Sequence, residues 1–197
     1  MEWNVRRSGG RPMVPGVWHR LWLTWWSRPA ADRALHRHVL RSRPTRILEI
    51  GLGTLVRTER MLRVAGVGPT GEPVRYVGLD RFEGRSATDP PGVSLKEAHR
   101  RLHALARVQL VPGNPDTALA RVCNHLGAFD LVIISADNDE RHVERAWFFL
   151  RRLVTTTTTV FVQAGSSRGA GPWTTLAPSR VDELATRAVQ PGLRRAG

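Results

Sequence analysis

Arg46-Ile47-Leu48-Glu49-Ile50-Gly51-Leu52-Gly53-Thr54, with Tyr76-Val77-Gly78-Leu79-Asp80 further on, decides the fold. Ile47, Leu48 and Ile50 form a short apolar run of the kind that makes a buried strand. Two glycines follow, where the backbone turns tightly before a helix opens at Thr54. The second apolar run ends in an acid, and a carboxylate there can accept two hydrogen bonds from ribose hydroxyls. Strand, glycine turn, helix and acid-terminated strand together form a unit that holds a nucleotide-like cofactor.

The dinucleotide fingerprint requires a third glycine three residues beyond the second, and Val56 stands there. The surrounding residues point to another ligand. Glu49 before the turn, with Gly51, Gly53 and Thr58 after it, resembles motif I (E-x-G-x-G-x-G) of the class I S-adenosylmethionine-dependent methyltransferases. Leu55 replaces the family's third glycine and is expected to narrow the space for the methionine moiety. Gly66 to Pro73 is a turn-rich insertion that lengthens the step to Asp80.

Later segments continue the resemblance in order. Val108 to Asn114 looks like the third strand and its turn, Phe129 to Asp137 like the fourth strand, and Val160 to Gln163 like the fifth. The implied fold is an α/β Rossmann-like three-layer sandwich, its mostly parallel sheet having five or more strands, with N-terminal helices added. The implied cofactor is S-adenosylmethionine, bound by Glu49, Gly51, Gly53, Asp80, Arg81 and Asn114. Glu49 would contact the methionine amine, Asp80 the ribose and Asn114 the adenine; the alternative for Glu49 is pairing with an arginine beneath the turn. Asp137 and His142 follow strand four, where the family places groups facing the methyl acceptor, and His142 is a candidate base near neutral pH. The alternative for His142 is the solvated first turn of a helix capped by Asp139 and Glu140.

Ser135-Ala136-Asp137 is also similar to the D-A-D segment of cation-dependent O-methyltransferases. That metal's remaining ligands would fall near Gln163 and Ala164, and neither is a carboxylate, so no metal is expected. Beyond Gln163 the family's two final strands have no clear counterpart. A five-stranded sheet, or a short irregular strand at Trp173 to Leu176, is expected, followed by a helix from about Ser179 to Val189.

The chain has 197 residues, 41% of them hydrophobic, enough for one folded domain. Its organisation reads as a loose leader (1–16), a helical extension (17–43), the Rossmann-like domain (44–190) and a basic tail (191–197). Four tryptophans, Trp18, Trp22, Trp25 and Trp26, sit in the extension and must bury against something: the sheet edge, the cofactor pocket, a second copy in a homodimer or a membrane surface. A single cysteine, Cys123, excludes an internal disulfide framework and fits a reducing cytoplasm. No apolar run approaches a spanning helix, so membrane insertion is not expected. The net charge of +13 would favour phosphate-rich partners, yet the arginines are scattered, so a nucleic-acid surface competes with a solvated basic face. A small-molecule methyl acceptor is the primary expectation, with a non-catalytic binding or scaffold protein of the same fold as the alternative.

Overall fold

The computed structural model describes residues 29–166 and 169–193. Six strands form one sheet: β1 (Arg46–Ile50), β2 (Arg75–Asp80), β3 (Arg107–Pro112), β4 (Leu131–Ile134), β5 (Thr159–Ser166) and β6 (Gly169–Leu176), in the order β3-β2-β1-β4-β5-β6. The first five run parallel, and β6 returns antiparallel beside β5. Helices α1 (Asp32–Ser42), α2 (Val56–Ala65) and α3 (Leu95–Leu102) cover one face; α4 (Pro115–Leu126), α5 (Glu140–Leu150) and α6 (Pro178–Leu193) cover the other.

Side-chain alternation along a strand explains why both faces need covering. Ile47 points into the cluster with Leu35, Leu55, Leu62 and Leu102, whereas its neighbour Leu48 points into the cluster with Leu119, Val132, Trp147 and Leu150. Short uninterrupted apolar runs such as Leu131 to Ile134, buried throughout, are what such a sheet requires. Chain order reverses between β1 and β4, so their carboxyl ends open the crevice in which open α/β sheets bind ligands.

Helix α3 ends at Leu102, and α5 ends at Leu150 before a single 3-10 turn, Arg151–Leu153. The Ser94 and Glu97 spacing would allow a reciprocal cap, but only half of it forms: Ser94 Oγ accepts from Glu97 N–H at 3.1 Å, while the Glu97 carboxylate turns to Arg100. Leu95 N–H donates to Glu83 Oε1 at 2.9 Å, which ties the loop after β2 to α3.

The sequence expectation fails most clearly at the C-terminal edge. Instead of a missing or short irregular strand, β6 is eight residues long and pairs Trp173 with Gln163 and Leu176 with Val160, with an irregularity between Gln163 and Gly165. Pro172 is tolerated because β6 is an edge strand, with one side free of ladder bonds. The helix that follows is also longer than expected, Pro178–Leu193. The loose leader, the tryptophan-rich segment and most of the basic tail lie outside the described residues.

Candidate active site at the carboxyl ends of β1, β2 and β4

The turn after β1 takes the shape its glycines allow, with φ of +84° at Gly51 and +57° at Gly53. Leu55, in the third glycine position, also has positive φ (+68°). This unfavourable conformation costs about 1–3 kcal/mol, against which the side chain is wholly buried among Leu35, Leu62 and Leu102. The expectation that Leu55 narrows the methionine space is therefore corrected: its side chain joins the core on the α1–α2 face, and the turn keeps a glycine-like path.

Asp80 ends β2 against that turn, as expected. Its Oδ2 accepts from Leu52 N–H at 2.8 Å and Gly53 N–H at 3.2 Å, and its Oδ1 from Phe82 N–H at 2.9 Å. Arg85 completes the shell, its Nη2 donating to Oδ2 at 2.7 Å and its Nε to Oδ1 at 3.1 Å. A carboxylate offers roughly four lone-pair positions, and protein donors have filled them all. Arg85 also donates to Pro90 O, and Arg81 pairs with Asp89 at 2.8 Å, so the 81–92 loop is strapped across the acid. Arg81 thus serves the loop's internal bridge.

Glu49 is fully buried and equally saturated. Its Oε1 accepts from Arg57 Nε (3.0 Å) and Nη2 (2.8 Å), its Oε2 from Thr58 Oγ1 (2.9 Å) and Tyr76 Oη (2.8 Å). Of the two roles weighed for this acid, the arginine-paired one is observed. Arg57 also donates to Gly51 O at 2.8 Å and lies over the Trp173 ring, whose Nε1 donates to buried Asp32 at 2.9 Å. Burial works against the charge on Arg57, but Glu49's charge and hydrogen bonds, with smaller help from Asp32 and Asp137, hold the guanidinium above the ordinary arginine range.

Tyr76 hydroxyl is pushed well above the ordinary tyrosine value, first by burial and then by Glu49's charge. The folded state thus retains its proton where the unfolded chain, ionising near pH 10, would lose it. Stability is therefore unaffected by this group below about pH 10 and falls as pH rises through the unfolded value. Tyr76→Phe is expected to cost about 1–2 kcal/mol at pH 7 by leaving Glu49 one donor short. The same variant should lose less stability than the parent between pH 9 and 11; urea midpoints at the two ends check both.

The β4 loop closes the crevice from the other side. Asn138 Nδ2 donates to Ile50 O (3.0 Å) and Ser135 O (2.9 Å), and a Cβ on Gly51 would collide with it. Asp137 stands over the second glycine, where a Cβ on Gly53 would lie 3.1 Å from its Oδ2. Asp137 thus reaches the glycine turn. His142 does not: its Nδ1 is 2.8 Å from Oδ1 of Asp116, a largely buried acid on α4, and the pair joins α4 to α5. The solvated-turn alternative is also incomplete, since Asp139 caps α5 as expected but His142 has a specific partner. Asp116 was missed because nothing in its own segment marks it; helix spacing alone does not bring it to His142. Asn114 is the N-cap residue of α4 at the carboxyl end of β3, half-buried, with its side chain making no cap bond.

Gln163 lies near the carboxyl end of β5, and its Nε2 donates to Gly171 O in the β5–β6 hairpin at 3.2 Å. Among the described residues no group of three His, Cys, Asp or Glu side chains is placed to hold a metal ion.

No family model and no curated protein matches this sequence. Solved structures do. The O-methyltransferase TomG from Streptomyces achromogenes, involved in tomaymycin synthesis and solved with S-adenosylmethionine, superposes with a TM-score of 0.52 at 18% identity, covering 77% of this chain and 67% of TomG. An O-methyltransferase from Bacillus cereus, in complex with S-adenosylhomocysteine, gives a TM-score of 0.52 at 19% identity over 77% of this chain and 68% of its own. This chain has the fold of the class I S-adenosylmethionine-dependent methyltransferases. Within that methyltransferase fold, the two acids implied for the cofactor, Glu49 and Asp80, are each held by an internal arginine.

Proposed function

We propose that this protein binds S-adenosylmethionine at the carboxyl ends of β1, β2 and β4 and transfers its methyl group to a small-molecule acceptor. The observation that carries the reading is Asp80, a carboxylate at the end of β2 seated on the N–H groups of a glycine turn that retains its open path through Leu55. Two O-methyltransferases of the same fold support it, TomG solved with S-adenosylmethionine and the Bacillus cereus protein with S-adenosylhomocysteine.

The fit is uneven. Asp80 suits ribose hydroxyls only when Arg85 leaves it, and Glu49 has no lone pair left for an ammonium. The cofactor, when bound, supplies a methyl group on a sulfonium that needs little acid–base help from the protein. Asp80 would orient the ribose, and Asp137, half-buried above Gly53, would face the acceptor and take its proton if that acceptor is a hydroxyl. His142, with its Nδ1 on Asp116, positions α5 beneath this loop.

The same arginine pairings favour a second reading, a non-catalytic binding protein of methyltransferase fold. Calorimetric titration with S-adenosylhomocysteine separates the two. The first reading expects saturable binding, weakened at least about tenfold in Asp80→Asn with the circular dichroism spectrum unchanged. Absence of binding in the parent and in a variant lacking Arg85 would leave the second.

A further inference from the structure

A cavity lies at the opposite end of the sheet from the crevice, where β1, β2 and β3 begin. Its volume is about 530 Å³, within the range of small-molecule sites. Arg46, Arg75 and Arg107 open these three strands and are direct partners in register, so their side chains leave the sheet on one face. All three line the cavity, together with Gln109 and His125, and among the described residues no carboxylate does.

The three guanidiniums are not equivalent. Arg46 is spent, donating to Ala128 O at 2.6 Å and to Leu126 O while lying over the Phe129 ring. The nearby Asp130 is spent too, its Oδ2 accepting from Thr45 and Arg46 backbone N–H and from Thr45 Oγ1. Arg75 and Arg107 have no side-chain hydrogen bond or ion pair among the described residues, although Arg57, Arg81, Arg85, Arg101 and Arg151 are all paired. Neighbouring strands lie about 4.8 Å apart, and like charges directly opposite destabilise a sheet. An anion bridging the pair would remove that repulsion, and the planar donor forks of two arginines match phosphoryl oxygens.

We propose that this recess is a binding site for a small phosphorylated ligand whose phosphoryl oxygens bridge Arg75 and Arg107. Gln109, two residues beyond Arg107 on the same face, and His125 at the end of α4 supply further polar contacts. The recess favours a small ligand over a nucleic acid because its two uncommitted guanidiniums share one concave pocket at a sheet corner, whereas a nucleic-acid backbone needs a longer basic track. The site is independent of the crevice at the other end of the strands.

The test is calorimetric titration of the full chain with inorganic pyrophosphate at low ionic strength. Saturable binding is expected, weakened at least about tenfold in Arg75→Gln/Arg107→Gln, with binding of S-adenosylhomocysteine the same in both proteins. Both arginines are exposed at strand starts, so the variant should fold; without anion, Arg75→Gln should raise Tm by about 1 °C through relief of the like-charge contact. Equal pyrophosphate affinity in the double variant, or no binding in the parent, overturns the proposal. So does a single-stranded oligonucleotide that binds with a steep salt dependence and is not displaced by pyrophosphate, the signature of a phosphodiester track.

Discussion

Arg57→Met is expected to lower the unfolding free energy by about 3–5 kcal/mol. Glu49 is wholly buried, and among the described residues its only charged partner is this guanidinium, whose side chain is 13% exposed. Removing the cation strands a carboxylate in the core with the Thr58 and Tyr76 hydroxyls as its remaining donors. Gly51 O loses its side-chain donor as well. The double variant Arg57→Met/Glu49→Leu should recover most of the loss, because replacing both members of a buried pair by apolar groups is often neutral. Urea unfolding of the parent, both single variants and the double gives the coupling energy directly. Independent, additive losses would mean that the pair is not the unit it looks to be from its geometry.

Arg85→Met should act on binding. A hydrogen-bonded charge pair of this kind is worth about 1.5–3 kcal/mol, so freeing Asp80 should tighten S-adenosylhomocysteine binding by roughly 10- to 100-fold if the ligand must first displace the arginine. Asp80 stays oriented in the variant by Leu52, Gly53 and Phe82 N–H groups, which keeps the effect local. The loop from 85 to 92 should exchange its amides faster in the ligand-free variant, because Arg85 also anchors Pro90. Titration of the parent and the variant under identical buffer decides the matter: unchanged or weaker affinity would show that Arg85 does not compete for the acid.

The elements that position the site were legible because each has a local signal. An apolar run closed by Asp80, and glycines between Ile50 and Thr54, define strand, turn and strand without knowledge of their neighbours. The partners of the acids were not legible. Arg57 and Arg85 lie eight and five residues from the carboxylates they hold, a spacing with no periodic meaning across a turn or loop, in a chain rich in arginine. His142 was legible as a titratable group after strand four, but its partner Asp116 lies on a separate helix. Strand β6 was hidden for the opposite reason: Gly169, Gly171 and Pro172 carry turn chemistry, and only the sheet edge makes a strand from them.

Trp173 has a consequence for the order of assembly. Its indole joins Asp32, 141 residues earlier in the chain, and its ring covers the guanidinium that secures Glu49. The first glycine turn is written early in the sequence, but its electrostatic lining is complete only when the last strand has docked. Contacts of such long range form late and slowly, since loop closure must precede any reward. The cover that Trp173 lays over Arg57 therefore depends on the docking of β6 against β5, far along the chain from the glycine turn it completes.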